Sequence, residues 1–269
     1  MQAPLNYNHT FVIPAYKQSP YIEECIQSLL SQTVKSKILI TTATPSDFLA
    51  CLANKYRLPY CVNQKGGSSI GTDWNFALSQ ASTSLVTIAH QDDIYLPAYT
   101  NEILKTFEQQ TGAPVQLFFT GYQDLVDGQP RLHSKNAWIK KVLLWPYLIK
   151  SSISSRFLKK VSLCFGDPIC CPSVTLNMNL LKGFVFDEGY TCALDWLAWY
   201  QLSQRAGSFV YIPKKLIVHR IHADSETTAQ LVNGRRKKEE RAIFRKIWGG
   251  RLGNWFAGLY AYGHKDNLL

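Results

Sequence analysis

The chain has 269 residues, of which 46% are hydrophobic, 13% aromatic and 18% charged, and its formal net charge is +10 at pH 7. A chain of this length and apolar content can bury a large core, which excludes a wholly disordered protein. No apolar run reaches the roughly 18 residues that a membrane-spanning helix needs, and the residues after Met1 lack a signal-peptide pattern. We therefore expect an intracellular protein that is soluble or bound to a surface.

The seven cysteines are scattered along the chain without a C-x-x-C pair. Such a set favours neither a disulfide framework nor a zinc site. We interpret them as buried free thiols, which agrees with a protein kept in the reducing cytoplasm.

The positive charge is concentrated in the second half of the chain. Residues 1–130 carry a net charge of −3, and residues 131–269 carry a net charge of +13. The stretch 131–166, which we call the basic segment, holds eight basic residues and no acidic one. Trp138, Trp145 and several leucines lie between its charges, a pattern typical of a helix in an anionic membrane interface. An ordinary basic face packed on the domain explains the pattern equally well, whereas a nucleic acid is disfavoured as a partner.

Strands and helices alternate over the first 120 residues. Short apolar runs predict five strands, at 11–13, 37–42, 58–62, 85–89 and 115–120. Capping residues and helical spacing predict four helices, starting at Ser19, at Pro45, at Thr72 or Asp73, and at Pro97. This alternation predicts an α/β fold with a mainly parallel sheet and helices on both faces. Ligands of such sheets bind beyond the carboxyl ends of the strands, which here are the loops 14–19, 42–46 and 90–97.

The second half is less regular. Asp127-Gly128 predicts a turn, and Gly249-Gly250 predicts a break in a C-terminal helical region that starts near residue 227. We also expect one or two basic helices over 138–160, a helix over 192–205, and strands at 172–176, 209–212 and 216–221.

Two adjacent carboxylates, Asp92 and Asp93, follow directly after the fourth predicted strand. Carboxylates at a strand end are costly to bury unless a positive charge lies beside them. A divalent cation held by one or two carboxylates and by substrate phosphates would supply that charge. The alternative is that Asp92 or Asp93 only caps the helix near Pro97. Two adjacent aspartates, taken alone, favour this alternative.

Asp195 lies near the start of an apolar, aromatic helix, where it can serve as a general base or simply favour the helix dipole. Near the end of the last strand, alternation places Arg220 and His222 on one face and His219 on the other. An arginine and a histidine on one face suit a diphosphate and its metal ion, or else they are polar residues of a solvated strand.

Several segments occur in the order of a known family. Residues 11–17 (FVIPAYK), 25–33 (CIQSLLSQT) and 88–93 (IAHQDD) carry most of the pattern, with 63–67, 74–75, 172–174 and 220–222 as weaker matches. Over residues 9–228 the chain resembles the family 2 glycosyltransferases, inverting enzymes with a GT-A fold. It departs from their pattern at Lys17, at Thr42-Ala43-Thr44 in place of an acidic segment, at His90, and at Leu194.

The resemblance implies roles for particular residues. It makes Asp195 the catalytic base, and it places an Mg²⁺ or Mn²⁺ ion on Asp92 and Asp93, with His222 as a further candidate ligand. The residues implied in donor binding are Pro14, Ala15, Tyr16, Thr42, Thr44, Asn63, Gly67, Asn75, Asp92 and Arg220.

The expected function is therefore transfer of a sugar, with inversion, from a nucleotide-diphosphate donor to an acceptor hydroxyl in cell-surface polysaccharide or glycolipid synthesis. A UDP-sugar is the expected donor, and a saccharide or a lipid-linked sugar is the expected acceptor. We expect a nucleotide-sugar-binding half at 1–130, an acceptor-side half at 131–228 and a basic helical tail at 229–269. The expected location is the cytoplasm, at the inner face of the cell membrane. The alternative is a non-catalytic nucleotide-sugar-binding or scaffold protein; a nucleotidyltransferase is disfavoured because no Gly- and Arg-rich loop follows the first strand.

Overall fold

The computed structural model describes residues 8–65, 69–131, 135–222 and 234–263. The strands are β1 (His9–Ala15), β2 (Lys37–Thr42), β3 (Tyr60–Val62), β4 (Leu85–Ile88), β5 (Ile94–Tyr95), β6 (Val115–Val126), β7 (Gln129–Arg131), β8 (Ser152–Ile153), β9 (Val174–Asn177) and β10 (Ser208–Ile221). The helices are α1 (Ile22–Leu30), α2 (Asp47–Tyr56), α3 (Ile70–Gln80), α4 (Tyr99–Glu108), α5 (Lys135–Leu143), α6 (Trp145–Ile149), α7 (Arg156–Leu163), α8 (Leu194–Ser203), α9 (Arg235–Trp248) and α10 (Gly250–Gly263).

These strands form one sheet in the order β3-β2-β1-β4-β9-β6-β10-β5, with β7 added to β6 and β8 added to β10. The pairs β1–β2, β1–β4, β2–β3 and β6–β10 are parallel, and β9 runs antiparallel between β4 and β6. The predicted mainly parallel α/β sheet is therefore confirmed. Because β1, β2, β4 and β10 all run in the same direction, their carboxyl ends lie along one edge.

Apolar side chains cover both faces of the sheet. Along β1, Phe11 and Ile13 belong to one buried cluster with residues of α1, α2 and α4, whereas Val12 belongs to a second cluster with residues of α3 and α8. This alternation is the period of two that a strand buried on both faces requires. Helices therefore pack on both faces, as predicted.

Several predicted boundaries are wrong for identifiable reasons. Ser19 does not cap α1, which begins at Ile22 after Tyr21 without a side-chain cap; the Ser19 hydroxyl accepts from the Tyr21 N–H and donates to Asp92. The cap of α3 is Ser69, whose hydroxyl accepts from the Thr72 N–H, rather than Thr72 or Asp73. The two predicted final strands are one strand, β10, in which register shifts between Ile212 and Ile217 absorb the polar interruption.

The basic segment is divided into three helices, because the short strand β8 pairs with the start of β10 between α6 and α7. Its lysines are not all on the surface. Lys159 is fully buried and donates from Nζ to Gln116 Oε1 and to the main-chain oxygens of Arg205 and Gly207. Lys140 donates to the hydroxyl of Tyr122. These two residues are part of the folded interior rather than of a free basic face.

The last two helices, α9 and α10, pack on the same core as α8. Phe244 and Ala257 are buried in the cluster that contains Trp196, and the rings of Trp196 and Phe244 lie 5.0 Å apart. The predicted break occurs at Gly249, where φ is +78°. Within the part of the chain that the structure describes, none of the helices combines the length and the apolar character that crossing a membrane requires.

Candidate active site

Four segments meet at the carboxyl edge of the sheet. They follow β1 (residues 16–19), β2 (42–44) and β4 (90–93), and the fourth is the end of β10 (219–222). The strand β5 comes directly after the β4 loop and pairs antiparallel with Ile217 and Val218 of β10. This pairing holds the β4 loop against the end of β10, although the two are separated by more than 120 residues in the sequence.

The loop after β1 is held by side chains from the two neighbouring loops. Gln91 accepts from the Tyr16 N–H through Oε1 at 3.1 Å and donates to the Tyr16 carbonyl through Nε2 at 3.2 Å. Thr44 Oγ1 accepts from the Lys17 N–H at 2.8 Å, and its own N–H donates to Thr42 Oγ1 at 3.0 Å. Lys17 has φ +55°, so these contacts hold a left-handed residue in place.

The predicted donor residues at the ends of β1 and β2 are therefore neighbours. Pro14 and Ala15 are the last two residues of β1 and pair with Thr41 and Thr42 of β2. The ring of Tyr16, 44% exposed, points beyond them into solvent. The hydroxyls of Thr42 and Thr44 are engaged in holding the loop, which sequence reasoning did not foresee.

Asp93 is the centre of the site, with a side chain that is 1% exposed. Its Oδ1 accepts from the Arg220 N–H at 2.9 Å and lies 3.0 Å from His219 Nδ1. Burial opposes ionisation of this carboxyl, but His219, His90 and the Arg220 N–H outweigh it and lower the pKa of Asp93 below its ordinary value. Asp93 is thus a buried carboxylate that is kept ionised.

Two histidines face Asp93, and their pKa values are shifted in opposite directions. Burial opposes protonation of His219, yet Asp93 raises the pKa of His219 above its ordinary value. His90 lies against the ring of Trp74, with centroids 5.3 Å apart, and burial lowers the pKa of His90. Sequence reasoning missed His219, because it looked for a site on only one face of the last strand.

Each oxygen of the Asp92 carboxylate has a polar side chain beside it. Ser19 donates to Oδ1 at 2.6 Å, and His222 Nε2 lies 3.5 Å from Oδ2. The Arg220 Nε donates to the main-chain oxygen of Asp92 at 3.1 Å. The Arg220 guanidinium lies 4.3 Å over the ring of Tyr21, which also packs against His222 with centroids 4.9 Å apart. Arg220 and His222 therefore share one face, as the alternation predicts.

The carboxylates fit a divalent cation that takes its other ligands from a substrate. Asp93 Oδ2 is buried and has no hydrogen-bond partner among the described residues; its nearest charged neighbour is His90 Nδ1 at 4.0 Å. The described parts of the chain contain no group of three or more His, Cys, Asp or Glu side chains placed to hold a metal by themselves. One or two carboxylates with phosphate oxygens are the usual environment of Mg²⁺, so this set is sufficient for a cation carried with a diphosphate.

The asparagines of the predicted donor site bond to the protein itself. The Asn63 N–H donates to the Thr42 carbonyl at 2.8 Å, and its side chain accepts from the Lys65 N–H at 3.2 Å. The Asn75 amide makes two bonds to the main chain of Phe186, at 2.7 and 3.0 Å, and a third to Glu188 at 3.1 Å. These contacts hold the loops that border the site. Gly67 lies outside the described residues.

Asp195 is the second residue of α8 and lies next to a second acid. Burial raises the pKa of Asp195, although the Trp196 N–H, Arg236 and Lys140 favour its ionised form. Burial, and then the charge of Asp195, raise the pKa of Asp167 well above its ordinary value. Burial thus favours the protonated form of both carboxyls, compared with an exposed aspartate.

The short turn Cys171–Ser173 carries a buried thiol. Burial raises the pKa of the Cys171 thiol, and the charges of Asp195, Asp167 and Asp93 raise it further. The turn also contacts β4, β6 and β10. Cys171 is thus electrostatically coupled to the carboxylates of both the β4 loop and α8.

The N-terminus of α8 is anchored by a residue that sequence reasoning did not identify. Glu239 of α9 accepts from the Thr191 N–H and hydroxyl through Oε1, at 2.9 and 2.8 Å. Its Oε2 accepts from the Cys192 and Ala193 N–H groups, at 2.8 and 3.1 Å. Burial opposes ionisation of Glu239, but these bonds lower its pKa. No local signal in the sequence connects residues 191–193 with 239.

The fold agrees with those of known glycosyltransferases. TarS 1–349 of S. aureus, in complex with UDP-GlcNAc, aligns with a TM-score of 0.65 and 17% identity over 96% of this chain and 72% of that one. The mannosyltransferase PcManGT from Pyrobaculum calidifontis, in complex with GDP-Man and Mn²⁺, aligns with a TM-score of 0.63 and 15% identity over 99% and 74% of the two chains. At these identities the likeness shows the fold alone, which is GT-A-like.

Sequence comparison supplies the family. An uncharacterized glycosyltransferase of Rickettsia typhi is 24% identical over 254 residues, which cover 90% of this chain and 71% of that protein. Residues 10–180 match the family described as glycosyl transferase family 2. This match takes in the strands β1 to β4 and the Asp92–Asp93 loop, and the chain accordingly belongs to glycosyl transferase family 2.

Proposed function

We propose that this glycosyltransferase moves a sugar, with inversion at the anomeric carbon, from a nucleotide-diphosphate donor to an acceptor hydroxyl. One observation carries the proposal: Asp93 is a buried carboxylate, fixed through Oδ1 by His219 and the Arg220 N–H, whose Oδ2 has no hydrogen-bond partner among the described residues. A UDP-sugar is the proposed donor; TarS and a glucosyl-3-phosphoglycerate synthase were crystallised with UDP-sugars, although PcManGT was crystallised with GDP-Man.

The donor would lie across the ends of β1, β2 and β4. The loop that contains Tyr16 and Lys17, fixed by Gln91 and Thr44, offers a rigid border for the nucleoside. The partly exposed Tyr16 ring offers a stacking surface. Arg220, held over Tyr21 and bonded to Glu24 at 2.6 Å, is the proposed cation for the diphosphate.

Asp93 and Asp92 are the proposed ligands of an Mg²⁺ or Mn²⁺ ion, with His222 as a third candidate. When bound, such an ion neutralises charge that develops on the leaving diphosphate. The residues of the chain prepare this position, because His219 and the Arg220 N–H fix one oxygen of Asp93 and leave Oδ2 available. Ser19 similarly fixes one oxygen of Asp92.

Asp195 is the proposed general base. As the acceptor oxygen bonds to the anomeric carbon, its proton passes to the Asp195 carboxylate, and the bond from that carbon to the diphosphate oxygen breaks on the opposite side. The nucleoside diphosphate leaves with the electron pair of that bond. A positioned base of this kind contributes about 10²–10⁴ in rate. The raised pKa of Asp195 makes it a stronger base than an exposed aspartate.

The proposed acceptor is a saccharide or a lipid-linked sugar of cell-surface polysaccharide or glycolipid synthesis. The proposed location is the cytoplasm, peripheral to the inner face of the cell membrane. The acid-free basic segment supports this location, since anionic lipids attract such segments.

Release of nucleoside diphosphate from a panel of UDP- and GDP-sugars, with Mg²⁺ or Mn²⁺, tests the proposal. We expect release with at least one donor, and loss of release in both Asp93→Ala and Asp195→Asn. Glu108→Gln, an exposed carboxylate on α4, is the matched control and should keep full activity. A protein that binds a nucleotide sugar tightly but releases no diphosphate with any acceptor mixture would instead be the non-catalytic binding protein.

A further inference from the structure

We infer that α5, α6 and α10 together form a docking face for an anionic lipid bilayer. The inference deepens the proposed location and rests on it. It names the surface, and it adds a helix, α10, that lies outside the basic segment. It also removes Lys140 and Lys159 from the contact, since both are engaged inside the fold.

The first part of the face is a row of solvent-exposed apolar side chains on α5 and α6. Trp138 is 68% exposed and Ile149 is 78% exposed, although such residues are normally buried. Between them, Val142 and Trp145 continue the row at helical spacing and are each close to half exposed. A shallow apolar groove beside Trp145 and Ile149, lined also by Ile153 and Leu158, extends the row towards α7.

The second part of the face is on α10. Leu252, Trp255 and Leu259, spaced three and four residues apart, lie on one side of the helix and are 57%, 59% and 55% exposed. Within the described residues, no other group of helices exposes as many large apolar side chains as α5, α6 and α10 together. Contiguous apolar surface of this kind marks an interaction site.

The two parts are joined where the chain leaves α7. A Cβ added at Gly166 would lie 2.7 Å from the Tyr260 ring of α10 and 3.4 Å from Leu143 of α5, so both helices pack on this glycine. Phe165 lies beside it, 42% exposed, with its ring 5.3 Å from that of Phe256 in α10. The helices α5 and α10 are therefore adjacent elements of one surface.

The charges around the face identify the partner. Lys141, Lys150 and Arg156 are exposed beside the first part, and Arg245, Lys246 and Arg251 are exposed beside the second. No acidic residue occurs between residues 131 and 166 or from 241 to 263. A second copy of this face would bring like charges together, whereas tryptophan with lysine and arginine is the composition of a helix seated in anionic lipid headgroups.

Vesicle sedimentation tests the inference with the full chain. The probes are vesicles of phosphatidylcholine alone and of phosphatidylcholine with phosphatidylglycerol. We expect binding to the anionic vesicles at low salt, weakened at least tenfold in the neutral vesicles and by 0.5 M salt. Brominated lipids should quench part of the tryptophan fluorescence, because Trp138, Trp145 and Trp255 would lie at headgroup depth.

Four variants separate the parts of the face. Trp138→Ser/Ile149→Ser and Trp255→Ser should each weaken binding about tenfold, and Lys141→Glu/Lys150→Glu should weaken it by at least as much. Leu180→Ser removes an apolar side chain that is 40% exposed elsewhere and should bind as the parent does. Circular dichroism confirms that each variant is folded.

Three outcomes would overturn the inference. One is equal binding of the parent to neutral and anionic vesicles, and another is no binding to either. The third is a change from dimer to monomer in the Trp255→Ser variant without lipid, which would assign the face to a second copy. Unchanged binding in Trp255→Ser alone would remove α10 from the face. Release of nucleoside diphosphate with soluble acceptors is measured separately, so that failure of the docking face is distinguished from failure of the proposed reaction.

Discussion

His219 Nδ1 lies 3.0 Å from Asp93 Oδ1, which joins the end of β10 to the loop after β4. The contact has two consequences. It favours the ionised form of a buried carboxylate, and it fixes one of the two carboxylate oxygens while the other has no hydrogen-bond partner among the described residues. A buried ionised group of this kind is strongly destabilising if its partner is removed.

Replacing His219 tests this relationship. His219→Ala is expected to reduce diphosphate release about 10- to 100-fold, because a residue that orients a metal-binding carboxylate has effects of that size. It should also lower the free energy of unfolding by about 1–3 kcal/mol. His219→Asn, which can still donate to Asp93, should recover part of both. Steady-state kinetics and urea unfolding measure the two effects, and unchanged values in His219→Ala would contradict the assignment.

Asp195→Asn and Asp167→Asn make the same chemical change in neighbouring acids, but we expect very different effects on kcat. Asp195→Asn removes the base and should lower kcat about 10²–10⁴-fold. Burial and the charge of Asp195 favour the protonated form of Asp167 by raising its pKa, and its Oδ1 accepts from the Ile169 N–H as an asparagine oxygen can. Asp167→Asn should therefore remain within about threefold of the parent at neutral pH. A loss in Asp167→Asn as large as that in Asp195→Asn would contradict the assignment of roles.

Glu239 is expected to act on the reaction through α8. Glu239→Ala frees three N–H groups at the start of the helix and should lower the free energy of unfolding by about 2 kcal/mol. Because α8 carries Asp195, kcat should fall more than the KM of the donor changes. Glu239→Gln, which retains one acceptor oxygen, should lie between Ala and the parent in both measurements. Exposed Glu108→Gln is again the control, and a change in donor KM alone would separate Glu239 from the base.

His9 predicts how stability depends on pH. It is buried between Ser36 and Thr87, at 2.9 Å from each hydroxyl, and burial lowers its pKa to about 3. The unfolded chain binds a proton at this residue below about pH 6.5 and the folded chain does not. The stability that the folded state gains by keeping His9 neutral is therefore complete above pH 6.5. It is lost as the pH falls towards 3, and about 2 kcal/mol of it is lost at pH 5.

Urea unfolding at pH 7.5 and pH 5, for the parent and His9→Gln, measures this contribution. The glutamine can donate and accept at the same hydroxyls but does not titrate. The loss of stability between the two pH values should thus be about 2 kcal/mol smaller in the variant. Equal losses in the two proteins would show that His9 is not the responsible group.

The sequence predicts the order of the elements and the edge where the site lies, because both follow from local patterns. Buried parallel strands are recognised by short apolar runs, and their carboxyl ends must meet. The contacts that complete the site are not local. Gln91 bonds Tyr16 and His219 bonds Asp93, and both depend on which strands become neighbours.

Polar residues with two possible partners account for most of the errors. Ser19 has the type of a helix cap and accepts from the Tyr21 N–H, but its hydroxyl also donates to Asp92, and the helix begins only at Ile22. Lys140 and Lys159 fit the pattern of a basic helical face, yet each has uncharged oxygens to bond inside the fold. Local propensity was correct in each case about the kind of residue and wrong about its partner.

The Glu239 contact also makes the start of α8, the helix that carries Asp195, dependent on synthesis order. Residues 191–193 leave the ribosome long before the glutamate that anchors them, so the start of α8 lacks its carboxylate cap until residues 235–248 have been translated and folded back. A nascent chain shorter than this would already contain β1 to β10 and both site aspartates without the anchor. Activity of this chain should accordingly appear only after α9 has docked, however early the sheet itself has formed.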